Sequence, residues 1–272
     1  MLNETISLSE QYPKATLTTY VWDDKPDLRP PRRPAIVVCP GGGYVMLSQR
    51  EAEPIVSRFL GKGFNVFLLM YSIYPEVLKY EPVTEAARSI AHIRKNADKY
   101  NIDPDRIFIV GFSAGGHLAA SSGILWNCDA LKKEFEGQPE GIGRPNGMIL
   151  AYPVISGGEF GHKGSIKKIS GDETLSPETL AEWSLELHVD STTPPAFIWH
   201  TVTDKAVPVQ NSLILAEAMT KNNVPYELHI FPEGPHGLAL ANEETANGNP
   251  DMIRPNVERW VELAVEWTKG IK

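Results

Sequence analysis

Gly111-Phe112-Ser113-Ala114-Gly115 sets a serine between two glycines, after the apolar run Ile107-Phe108-Ile109-Val110 and before a run of small residues of helical character. A strand-to-helix turn of this kind holds its central residue in a strained backbone conformation and lifts that side chain off the sheet edge. A β-carbon at either glycine would collide with the adjoining strand or helix. The amide of Ala114 then lies beside the serine oxygen, at the positive end of the following helix. Such a place suits a nucleophile whose product is an oxyanion. The same five letters also describe a glycine-rich turn with an incidental serine; the strand before and the helix after favour the nucleophile.

A serine nucleophile needs a base, and the base needs a third group to orient it. Of the seven histidines, His92 and His117 fall within helices, His200 and His229 inside strands, and His188 in a segment between core elements. His162 sits in a glycine-rich loop from which it could touch substrate. His236 alone lies in a glycine-flanked loop just after a strand, Gly234-Pro235-His236-Gly237, where it could swing over Ser113. Loops after the carboxyl ends of parallel strands share one rim. Asp204 occupies such a loop, one strand before His236; Asp172 and Asp190 have no strand to hold them. Gly41-Gly42-Gly43, after the buried run Ala35–Cys39, can turn backbone N–H groups toward a common point, as oxyanion binding demands. No Lys-Ser/Thr follows and the G-x-G-x-x-G spacing is absent, so a phosphate loop is disfavoured.

The elements that must position these residues alternate. Apolar strands are expected at 35–39, 64–71, 106–113, 147–152, 196–201 and 226–231, with 101–105 as a turn before the third. Helices are expected at 51–62, 83–99, 114–125, 209–221 and 255–269. Such continuously apolar strands between helices imply one doubly wound parallel sheet buried on both faces. Residues 16–22 alternate like an exposed edge strand, and Pro30, Pro31 and Pro34 close that segment. Residues 128–146 read as a surface loop. Residues 155–193, glycine-rich and charged with one short helix at 177–183, read as an insertion forming a small cap over the site.

The composition is that of a globular protein, 42% hydrophobic and 22% charged in 272 residues, and fits a single α/β domain spanning 1–272. The formal net charge of −8 disfavours nucleic acid and anionic membranes as partners. Two cysteines are too few for a disulfide framework, and Cys39 reads as a small buried hydrophobe. The first residues lack a basic and an apolar signal region, and no stretch approaches a membrane span. A cytoplasmic location is the expectation, with a secreted form lacking its leader as the alternative.

Together Pro40-Gly41-Gly42-Gly43-Tyr44, Gly111 through Ala119, Thr203-Asp204-x-x-Val207-Pro208 and Gly234-Pro235-His236-Gly237 resemble the α/β-hydrolases, in particular bacterial acetyl xylan and feruloyl esterase-like enzymes of the hormone-sensitive-lipase neighbourhood. Asn101-Ile102-Asp103-Pro104-Asp105-Arg106-Ile107 matches that family's approach to the serine. The order Ser113, Asp204, His236 is the order these enzymes use. The lipase-like branch carries His before the three glycines; Pro40 here matches the sugar-esterase branch. Tyr71-Ser72-Ile73-Tyr74-Pro75 stands where relatives carry Tyr-Arg-Leu-Ala-Pro, so no role for that arginine carries over.

The resemblance implies a serine esterase acting on short acetyl-type esters, with no metal and no organic cofactor. Its triad would be Ser113, Asp204 and His236, and its oxyanion hole the amides of Gly42, Gly43 and Ala114. Tyr44 and Tyr74, with Trp126 and Trp183, are candidates to stack on a sugar or phenolic alcohol, and His162 to contact substrate. The expected partner is a small-molecule ester such as an acetylated xylo-oligosaccharide, and a homodimer is possible by analogy. A serine peptidase or aminoacyl hydrolase, a general lipase-like esterase, and a binding protein with a relic site are the competing readings.

Overall fold

The computed structural model describes residues 1–23, 27, 31–76 and 79–271; Pro30 lies outside them. Its strands are β1 (Thr5–Ser7), β2 (Thr16–Tyr20), β3 (Arg33–Cys39), β4 (Asn65–Met70), β5 (Ile102–Phe112), β6 (Gly147–Ala151), β7 (Ala196–Thr201) and β8 (Tyr226–Phe231). They form one sheet in the order β1-β2-β4-β3-β5-β6-β7-β8. From β4 onward every pairing in that order is parallel, and β1 and β2 add antiparallel at one side. The helices are α1 (Glu53–Gly61), α2 (Glu81–Lys95), α3 (Ala114–Ile124), α4 (Asp129–Glu134), α5 (Lys163–Ser170), α6 (Pro177–Glu182), α7 (Gln210–Lys221), α8 (Pro255–Glu258) and α9 (Trp260–Lys269).

The apolar strands divide their side chains between two cores because successive residues point to opposite faces. Ala35, Val37 and Cys39 of β3 pack with α2, α3 and α7 on one face. Ile36 and Val38 pack with α1, α8 and α9 on the other. This double cover is why the strands read as unbroken apolar runs.

Four expectations change. Residues 16–20 are an inner strand, because β1 pairs along their outer side. The turn at 101–105 is an excursion inside β5: Arg33 pairs with Ile102 and Ala35 with Ile107, so the residues between bulge out of the ladder. The loop at 128–146 contains α4, anchored by buried Leu131. The closing helix breaks at Arg259, between α8 and α9.

The insertion at 155–193 contains α5 as well as α6. It is sewn to the sheet by buried Ile166, Ile169, Trp183 and Leu185, which belong to the α2–α3 core. Asn211 of α7 accepts from the amides of Ile155 and Ser156 through its Oδ1.

The turn from β5 into α3 permits almost no side-chain volume. A β-carbon on Gly111 would lie 2.0 Å from the carbonyl oxygen of Gly115, and one on Gly115 would lie 2.3 Å from that of Cys39. Gly111→Ala is therefore expected to destabilise the protein by at least about 3 kcal/mol, read as a lowered urea midpoint with an unchanged slope.

Candidate active site

All the parallel strands end on one rim, and the site is assembled from the loops that leave it. Ser113 follows β5 with φ 54° and ψ −117°, a left-handed backbone that costs of order 1–3 kcal/mol unless its surroundings impose it. Those surroundings are specific. Its amide donates to the carbonyl of Ala151 at 3.0 Å, and its own carbonyl accepts from His117 and Val154 at 3.0 and 3.1 Å.

His236 follows β8. Its Nε2 lies 2.8 Å from Ser113 Oγ and its Nδ1 lies 2.6 Å from Asp204 Oδ2. The His236 loop is held by Thr201 and Thr203, whose hydroxyls both donate to the carbonyl of Gly234, while the ring edge of Tyr152 meets the imidazole at 5.1 Å between centroids. The structure thus brings Ser113, His236 and Asp204, far apart in the chain, into one hydrogen-bonded line.

Asp204 follows β7 and is nearly buried. Its Oδ1 accepts from the amides of Ala206 and Val207 at 2.9 and 3.0 Å. Burial alone would raise its pKa, but hydrogen bonds from His200 and His236 and the Val207 amide outweigh it and hold the carboxyl well below the usual range. His200, set aside above as a strand residue, is the unexpected participant. It is fully buried, donates from Nε2 to the carbonyl of Val207 at 2.9 Å, and lies 3.4 Å from Asp204 Oδ2. Its spacing of four residues before Asp204 was the available signal.

The glycine loop after β3 approaches Ser113 from the other side. Gly42, Gly43 and Tyr44 have φ of 133°, 65° and 61°, a sequence of positive values that glycine adopts freely. The Gly41 amide donates to buried Glu51 at 2.8 Å, and the Gly42 carbonyl accepts from Val45 and Met46. Among the described residues, the amides of Gly42, Gly43 and Ala114 donate to no protein acceptor.

The expected substrate contacts fare differently. Tyr44 turns its ring into the core, only 1% exposed, and its hydroxyl meets His117 Nδ1 at 2.9 Å. This overturns the expected stacking role: the left-handed backbone at Tyr44 directs the side chain inward. His117, which donates from Nε2 to the Trp183 carbonyl, is pushed down to about 4 by burial and is a structural link. Trp183 is fully buried and packs on Tyr80, which removes it as a stacking platform. Trp126 lies under Arg144 and lines a cavity of about 150 Å³ that includes no residue of the triad. Tyr74 is half-buried, with Lys168 Nζ 4.0 Å from its ring centroid. His162 caps α5, its Nδ1 accepting from the amide and hydroxyl of Ser165. Its pKa is lowered by burial and then by the neighbouring charge of His236. An open cleft of about 700 Å³ borders His236, lined also by Lys205, Glu233, Asp251 and Arg254.

The strand order and the serine turn define the class: this is an α/β-hydrolase. The BD-FAE family profile matches residues 25–219, most of the chain, and the protein belongs to that family. The chain is 36% identical to the acetyl ester-xyloside bifunctional hydrolase of Caldicellulosiruptor lactoaceticus, with a TM-score of 0.81 over 98% of this chain and 96% of that one. It is 40% identical over 220 residues to endo-1,4-beta-xylanase B of Butyrivibrio fibrisolvens, covering 80% of this chain and 34% of that protein. It is 35% identical over 211 residues to an acetylxylan esterase of Xylanibacter ruminicola, covering 76% of this chain and 41% of that protein. The chain therefore spans roughly a third to two fifths of those two curated relatives. No helix among the described residues is long and apolar enough to cross a membrane.

The depressed pKa of Asp204 has a stability consequence. A carboxyl with a folded pKa below its unfolded value of 3.8 contributes stability that is complete above the unfolded value and lost as pH falls toward the folded one. The stability difference between wild type and Asp204→Asn is expected to be constant from pH 5 to 6 and to shrink below about pH 4, measured by urea midpoints across that range.

Proposed function

We propose that this protein is a serine carboxylesterase that removes short acyl groups, acetyl above all, from a carbohydrate such as an acetylated xylo-oligosaccharide. The observation that carries the reading is the continuous line Ser113 Oγ, His236, Asp204, with spacings of 2.8 and 2.6 Å. The names of the similar proteins, an acetylxylan esterase and an acetyl ester-xyloside hydrolase, support the acyl and sugar parts of it.

In this mechanism His236 Nε2 accepts the Ser113 proton as Oγ attacks the ester carbonyl. Asp204, kept ionised by its hydrogen bonds, fixes the imidazole tautomer and stabilises the imidazolium. The amides of Ala114 and of Gly42 or Gly43 receive the developing oxyanion; each such donor is worth roughly 2.7–4 kcal/mol of barrier. His236 then delivers its proton to the leaving alcohol. Water, deprotonated by the same imidazole, hydrolyses the acyl-enzyme and restores Ser113. His162 contributes to substrate binding: with Nδ1 accepting from Ser165, its proton sits on Nε2, which serves as a donor to the sugar alcohol. Tyr74 is assigned a further substrate contact in this reading.

Ser113→Ala is expected to lower kcat by at least about 10⁴-fold and to abolish labelling by a fluorophosphonate; retained esterase activity refutes the reading. Initial rates on acetylated xylo-oligosaccharide, a feruloyl ester, p-nitrophenyl acetate and an aminoacyl anilide test the substrate class. The sugar acetate is expected to have the highest kcat/KM, and equal values across the esters count against the carbohydrate assignment. His162→Ala is expected to raise KM for the sugar acetate about 5- to 10-fold, in keeping with one lost hydrogen bond, and to leave kcat within about twofold.

A further inference from the structure

Glu51 is a carboxylate only 4% exposed, beside the site yet without a part in the proton transfers. Burying such a charge costs several kcal/mol unless it is well hydrogen-bonded. Its two oxygens are used for different loops. Oε2 accepts from the amide of Gly41 at 2.8 Å, at the start of the glycine loop. Oε1 accepts from the hydroxyl of Tyr152 at 2.7 Å.

Tyr152 carries the connection onward. Its hydroxyl accepts from the amide of Ala239 at 2.9 Å, on the chain just beyond His236, and its ring edge rests on the imidazole. Gly41 stands between the carboxylate and the nucleophile. A β-carbon built on Gly41 would lie 2.8 Å from Glu51 Oε2 and 3.1 Å from Ser113 Cβ. The preceding residue works in parallel: Arg50 donates to the carbonyl of Gly237 at 2.9 Å and to that of Thr245.

We propose that Glu51 is a positioning residue that sets the oxyanion loop and the imidazole of His236 in one register, the second through Tyr152. The inference rests on the serine-esterase reading. The amides of Gly42 and Gly43 meet negative charge only as the oxyanion forms. Loosening Gly41 therefore weakens binding of the transition state more than of the ester.

The test measures kcat and KM on p-nitrophenyl acetate, the rate of fluorophosphonate labelling, and the thermal midpoint. Wild type is compared with Ser113→Ala, Glu51→Gln, Glu51→Ala, Tyr152→Phe and the Glu51→Gln/Tyr152→Phe double variant. Glu51→Gln and Glu51→Ala are expected to lower kcat about 10- to 100-fold, the size of effect that a misplacement of about 1 Å produces, with KM within about threefold. Labelling of Ser113 slows in step with kcat. Tyr152→Phe lowers kcat about fivefold, and the double variant is no more than about twofold worse than Glu51→Gln, because the two residues act as one unit.

A kcat within about twofold of wild type in folded Glu51→Gln overturns the inference. So does a loss matched by an equal loss of titratable active sites, which is the signature of a purely structural role. If both Glu51 variants fail to fold, Tyr152→Phe decides: unchanged kcat and labelling overturn the inference, and slowed turnover at constant KM supports it. Activity retained by Ser113→Ala overturns the esterase reading and this inference together. Activity lost there but kept in Glu51→Ala overturns this inference alone.

Discussion

The rim depends on one close approach, that of the first turn of α3 to the end of β3. At Gly115 the space for a β-carbon is already occupied by the carbonyls of Cys39 and Pro40, at 2.3 and 2.4 Å. Backbone lies directly against backbone there. The start of α3 is thereby fixed against the strand end from which the glycine loop departs. The contact also forces the turn from strand to helix into a single residue, which is why Ser113 has φ 54°. The hydrogen bonds of its amide and carbonyl to Ala151, His117 and Val154 hold that strain in place.

Around this contact the protein buries polar groups in chains, each tying one loop to another. Asp204 is bonded to its own loop through two amides and to β7 through His200. His117 bridges Tyr44 of the glycine loop to the carbonyl of Trp183 in the insertion. Glu51 bridges the glycine loop to Tyr152. Partly satisfied networks of this kind are costly, so each bond removed loosens a loop and also strands a buried donor or acceptor. The rim is accordingly built as a rigid frame for groups whose spacing matters to tenths of an ångström.

Much of this frame is legible in the chain. The parallel strands show as apolar runs because both faces of the sheet are covered, and the serine turn shows because two positions tolerate only hydrogen as a side chain. The short helices α4 and α5 do not show. They are only six and eight residues long, too short for a periodic pattern to stand out from charged surroundings, and they exist because a few residues, Leu131 or Ile166 and Ile169, find a core to enter. Capping adds to this, as where His162 accepts from the Ser165 amide. Tyr44 misleads for a related reason: proximity to the glycines suggests the rim, but its φ of 61° sends the ring inward.

Residue type and order by themselves determined the kind of sheet, the edge at which its loops gather, and which serine, aspartate and histidine stand on those loops. These follow from local rules, namely apolar runs, glycine at crowded turns, and the common direction of parallel strands. Tertiary structure alone decided what supports them. Glu51 against Tyr152, and Tyr152 against Ala239 beside His236, are contacts between segments 101 and 87 residues apart. No spacing encodes such contacts. A buried charge becomes possible only where the folded chain supplies its hydrogen-bond partners, and those partners come together only once the sheet has formed.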